Sequence, residues 1–87
     1  MMINRNDDPL GWAMFVQELE DAHEHLGTLI KDIAAKSDYG EPELRVDLGH
    51  VYAHLNRAWQ RRLEPADLTD AAWDAAREFP HDIEPIA

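Results

Sequence analysis

LGWAMFVQELEDAHEHLGTLIKDIAAK, residues 10–36, decides the architecture of this chain. Trp12, Val16, Leu19, His23, Leu26, Ile30 and Ile33 recur at spacings of 4, 3, 4, 3, 4 and 3. Such a rhythm marks one face of an α-helix. Phe15, Ala22 and Leu29 widen this seam on one flank, and so broad a stripe suits a helical bundle better than a two-stranded coil. Asp8 before Pro9 supplies a start signal: the carboxylate takes up an orphan amide, and proline has no amide to leave unsatisfied. Gly27 is the weak point inside the helix, at about 1 kcal/mol relative to alanine. It flanks the seam, so close approach of another helix would account for it.

Ser37, Asp38, Tyr39 and Gly40 break the pattern, and Pro42 opens a second helix over about residues 42–63. Its apolar stripe is Leu44, Leu48, Val51, Tyr52, Leu55, Trp59 and Leu63. Glu41 and Glu43 near its start and Arg57, Arg61 and Arg62 near its end complement the helix dipole. Glu64 and Pro65 end it. A short third helix follows over about residues 67–79, capped by Asp67 or Thr69 and stopped by Pro80, with Leu68, Ala72, Ala76 and Phe79 facing inward. Residues 80–87 form an irregular tail whose two isoleucines can dock on the bundle. The expectation is one all-α domain over residues 1–87: a long antiparallel helical hairpin plus a short third helix.

Composition narrows the function classes. The 87 residues contain no cysteine, which excludes disulfides, thiolate metal sites and a cysteine nucleophile. Without disulfides, an apolar membrane-length run or a secretory leader pattern, the chain reads as cytoplasmic. The net charge is −10, distributed as −5 over residues 1–40, +1 over 41–63 and −6 over 64–87. Such a surface repels phosphate backbones and anionic membranes, so neither nucleic acid nor membrane is an expected partner. Solubility is the plain explanation of the charge.

Length argues for a partner. Twenty-seven helical residues extend about 40 Å at 1.5 Å per residue, whereas a compact chain of this size has a diameter of roughly 30 Å. The second helix can cover one flank of the seam, but the third is short and alanine-rich. Two such hairpins, related by a two-fold axis, make a four-helix bundle with one continuous core. The expected homodimer interface is Trp12, Phe15, Val16, Leu19, Leu26, Leu29, Ile30 and Ile33. A monomeric three-helix bundle with a bend at Gly27 is the competing architecture.

Three groups of side chains carry possible chemistry. Glu20 and His23, and Asp47 and His50, are carboxylate–histidine pairs at i, i+3, and His50 and His54 stand at i, i+4. Both spacings put two ligands on one helix face, where they can converge on a divalent metal. A hairpin turning near residue 39 brings His23 and His54 to similar heights. The ordinary alternative is a boundary histidine with solvated neighbours, and no further cofactor is expected. Glu18, Glu20, Asp21 and Glu24 lack a paired carboxylate ladder for magnesium and read as a solvated face. Trp12, Trp59 and Trp73 read as an aromatic cluster at one end of the bundle. Arg57, Arg61 and Arg62 read as partners for the acids of the third helix or, alternatively, as an anion contact. The single serine, Ser37, has no evident base. The leading expectation is a non-catalytic helical protein acting through homodimerisation and contacts with another protein. A metal-binding bundle and an acidic nucleic-acid mimic that inhibits its target are the rivals.

Overall fold

The computed structural model describes residues 2–63 and 69–87, and these residues form three helices and no strand. Helix α1 spans Pro9–Ala35, α2 spans Glu41–Arg61 and α3 spans Asp70–Ala76. The start signals act as their chemistry requires. Asp8 accepts the Gly11 amide at 2.9 Å, and its carboxylate fills the space that a Cβ on residue 11 would occupy. The Glu43 side chain accepts the Gly40 amide at 2.9 Å, and Thr69 accepts the Ala72 amide at 3.1 Å. Thr69 thus caps α3, while Asp67, Leu68, Glu64 and Pro65 lie outside the described residues. The third helix ends at Ala76 rather than near Phe79. Phe79 precedes Pro80, whose ring disfavours helical backbone at the residue before it.

Helices α1 and α2 run antiparallel, joined by a short connection at residues 36–40. Glu18 meets Arg57 near one end, and His25 meets His50 toward the turn. The Ile3 amide donates to the Arg62 carbonyl at 2.6 Å, holding the N-terminal segment across the end of α2. Helix α3 packs on α2 and not on α1. Asn56 donates to the Arg77 carbonyl at 2.8 Å, and the Tyr52 and Phe79 rings meet edge to face at 5.2 Å. In the tail, Asp82 accepts from the Trp59 indole at 2.8 Å and from Arg62 at 3.1 Å. These bonds hold its carboxyl below the ordinary range, the Trp59 hydrogen bond most strongly. Ile86, by contrast, is 95% exposed.

The chain is more extended than a globule of its mass. Its radius of gyration is 14.8 Å, against about 12 Å for a compact chain of this length. Its buried apolar residues are few and mostly small, namely Ala22, Leu29, Val51, Ala58 and Ala76. Between the two long helices the interior is instead partly ionic: Glu18, His54, Arg57 and Arg61 are all buried. This corrects the reading of Glu18 as a solvated acid. Glu18 lies four residues before Ala22, seven before His25 and eleven before Leu29, which puts it on the face that meets α2. It also corrects the expected arginine partners. Arg57 and Arg61 turn to Glu18 of α1 and Arg62 to Asp82 of the tail.

The three tryptophans do not share one cluster. Trp12 packs on Phe15 at 5.3 Å, and Trp59 lies under the Arg62 guanidinium at 3.6 Å. Trp73 of α3 covers Arg57 and Arg61 at 4.6 and 5.1 Å. Among the described residues, no atom approaches Gly27 closely enough to explain a glycine there.

Candidate functional site

Two faces of the hairpin differ sharply in chemistry, and helical geometry places them on opposite sides. On α1 the buried row against α2 is Glu18, Ala22 and Leu29. The residues Leu19, Leu26, Ile30 and Ile33 lie further round the helix by a little less than one residue's rotation of about 100°. On α2 the row against α1 is Val51, His54, Ala58 and Arg61, and Leu44, Leu48 and Leu55 lie a similar angle further round. Turning in the same sense of advancing sequence from the contact line leads, in an antiparallel pair, to the same side. Both apolar rows therefore share one face of the hairpin, while His25, His50 and Arg57 are displaced in the other direction.

The apolar face is open along α1. Leu19 is 41% exposed, Leu26 40%, Ile30 60% and Ile33 51%, with Leu55 of α2 at 42%. Of the expected interface residues, Leu29 is buried against α2, and Trp12, Phe15 and Val16 are half-buried. A sequence period fixes which face is apolar but not which flank meets the neighbour. Here the neighbour took the Ala22 and Leu29 flank.

Within the α1–α2 contact, Glu18 organises a buried network. Its Oε2 accepts from Arg57 Nε at 2.6 Å, with Arg61 Nε at 3.9 Å. Its Oε1 lies 3.1 Å from His54 Nδ1, and Arg57 Nη2 is also 3.1 Å from that nitrogen. One imidazole nitrogen cannot both donate to a carboxylate and accept from a guanidinium. Glu18 only accepts, so the Nδ1–H tautomer satisfies it, while Arg57 keeps its shorter bond through Nε. The other ring nitrogen of His54, Nε2, is buried and has no hydrogen-bond partner among the described residues.

His25 of α1 and His50 of α2 stand beside His54. Ring centroids are 4.0 Å apart for His25 and His50, 5.0 Å for His25 and His54, and 4.9 Å for His50 and His54. One ligand nitrogen from each of the three lies within 4.8 Å of the others. His50 and His54 were legible as an i, i+4 pair; His25 was not. The chain brings His25, rather than His23, to that pair, because the α1 face that meets α2 is rotated away from the seam on which His23 sits. His23 and Glu20 are exposed elsewhere on α1. Asp47 turns to the loop, where it accepts from the Tyr39 hydroxyl at 2.8 Å. Loss of surrounding water, followed by that hydrogen bond, pushes the Tyr39 phenol up to about 12. A second group, Glu18, Asp21 and His54, also lies within 4.8 Å, but Glu18 is already committed to Arg57.

Crowding lowers the His50 pKa below the ordinary histidine value. The first cause is removal of water from the ring by its neighbours, followed by the His25 and His54 rings and Arg57, with Asp47 opposing. The sign follows from linkage. Unfolded His50 takes up its proton near pH 6.5 and folded His50 only lower, so this contribution to stability is complete above that pH. It is lost as the pH falls through about 6.5 toward the folded value. Thermal melts in chelator should therefore show a falling midpoint between about pH 7.5 and about pH 5.5, and a smaller fall in His50→Gln. Identical pH profiles for the two proteins would contradict the assignment.

The chain matches no protein family, no curated protein and no solved structure. No helix among the described residues is long and apolar enough to cross a membrane.

Proposed function

We propose that the protein works by association, as a homodimer in which two hairpins join through their apolar faces into a four-helix bundle, with no catalytic role. The carrying observation is the exposed row of Leu19, Leu26, Ile30 and Ile33, flanked on the same side by Leu55. The surface area supports this reading. The chain exposes 6674 Å², whereas a compact monomer of 10.0 kDa exposes roughly 5,200 Å². The excess is larger than the roughly 800 Å² that each partner contributes to a stable interface. The antiparallel hairpin is also the half-unit from which two-fold bundles are built.

Sedimentation equilibrium over about 1–100 µM chain tests the proposal. The expected mass is about 20 kDa, twice the 10.0 kDa of one chain. Each chain carries −10, so pairing should tighten as salt screens the repulsion. A single-chain mass at the highest concentration overturns the proposal. Capture of a basic partner that weakens steeply with salt would favour the acidic-mimic reading instead.

A further inference from the structure

We propose that His25, His50 and His54 form a binding site for one divalent transition-metal ion, with zinc the best fit, and that Glu18 orients His54 from the outer shell. Four observations converge on it. Two helices deliver the three imidazoles to one place, with ligand nitrogens within 4.8 Å of one another. Tetrahedral zinc with bonds of about 2.0–2.1 Å holds its nitrogens about 3.3 Å apart, so modest side-chain rotations close the site. His54 is more than nine-tenths buried, and its Nε2 has no hydrogen-bond partner among the described residues. A metal ion would satisfy it.

The hydrogen bond from His54 Nδ1 to Glu18 supplies the third observation. A carboxylate holding the far nitrogen of a ligating histidine fixes the tautomer and raises ligand basicity, an arrangement common around protein-bound zinc. The donor set supplies the fourth. Three imidazoles without a thiolate favour zinc, copper, nickel or cobalt over magnesium or calcium, which prefer oxygen. Three protein ligands leave one position on the metal for water or an exogenous ligand. The site lies on the side of the hairpin opposite the apolar row, and His50 at its edge is exposed. Dimerisation through that row leaves it open. Arg57 lies 3.1 Å from His54 Nδ1, and Glu18 balances its charge at 2.6 Å.

The test uses the intact chain, stripped with chelator and titrated with cobalt(II) and then zinc. Tetrahedral cobalt should give intense visible bands that saturate at one ion per chain and vanish as zinc displaces it. Imidazole nitrogen shifts should move for His25, His50 and His54. His25→Ala and His50→Ala remove half-buried and exposed rings and should remain helical. Each should weaken zinc binding by more than about 100-fold, beyond the loss of an outer-shell partner. His23→Ala should bind as the parent does. The proposal fails if millimolar zinc moves none of the three rings. It also fails if binding survives in both His25→Ala and His50→Ala, or is lost only in Asp21→Asn, which would assign the ion to Glu18, Asp21 and His54.

Discussion

Glu18→Ala is expected to destabilise the fold by about 3–5 kcal/mol, because it leaves Arg57 buried without its counter-charge. The Glu18 side chain is only 6% exposed and the Arg57 side chain 9%, so solvent offers little compensation. Arg61, 3.9 Å from the same carboxylate, loses its acidic neighbour as well. The whole stability of a chain this long is of the order of 4–13 kcal/mol, so the variant should lose a large share of it. Glu18→Gln keeps the volume and one acceptor and should cost less. Glu18→Met combined with Arg57→Met should recover much of the loss, since an apolar pair in place of a buried ion pair is often neutral or better. Urea unfolding followed by circular dichroism, at fixed protein concentration, measures all three. A change under about 1 kcal/mol in Glu18→Ala would remove the ionic core from the account.

Ile30→Glu separates the fold of one chain from the pairing of two. Ile30 is 60% exposed in the hairpin, and substitutions at such positions usually shift the stability of a chain by about 0.5 kcal/mol or less. In the proposed dimer the same residue lies in the joined apolar faces, and two-fold symmetry introduces the carboxylate twice. Two buried, unpaired charges should raise the dissociation constant by more than about 100-fold, or about 3 kcal/mol. Val46→Glu is the matched control: Val46 is 71% exposed and lies away from the apolar face. Sedimentation should find Ile30→Glu monomeric and Val46→Glu paired as the parent, with circular dichroism showing both helical. Equal behaviour of the two variants would contradict the assignment of the face.

Much of the architecture was legible because local chemistry fixed it. The 4–3 spacing along α1, the Asp8 cap with Pro9, the break at residues 37–40 and the threonine before α3 each act within a few residues. What stayed hidden depends on how two helices are rotated about each other. The seam centred on Leu19, Leu26 and Ile30 pointed to His23 as the inward histidine. The α1–α2 contact instead uses the neighbouring flank, so His25 faces His54 and Glu18 faces Arg57. The buried acid left a faint trace nonetheless. Glu18, Ala22, His25 and Leu29 share a helical stripe, and Arg57 and Arg61 stand one turn apart at the matching height of the second helix. A carboxylate on one stripe with Ala22 and Leu29, opposite two arginines, is a pattern that sequence can show. Periodicity weighted by hydrophobicity alone passes over it.

A second copy of the chain is proposed to cover the apolar row of α1. A sample mixing carbon-13-labelled and unlabelled chains, measured by isotope-filtered nuclear Overhauser spectroscopy, reads contacts between copies directly. The predicted result is intermolecular contacts from the methyl groups of Leu19, Leu26, Ile30, Ile33 and Leu55, and none to the ring protons of His25 or His50. Intermolecular contacts confined to the histidine face, or none from these methyl groups at millimolar concentration, would contradict it.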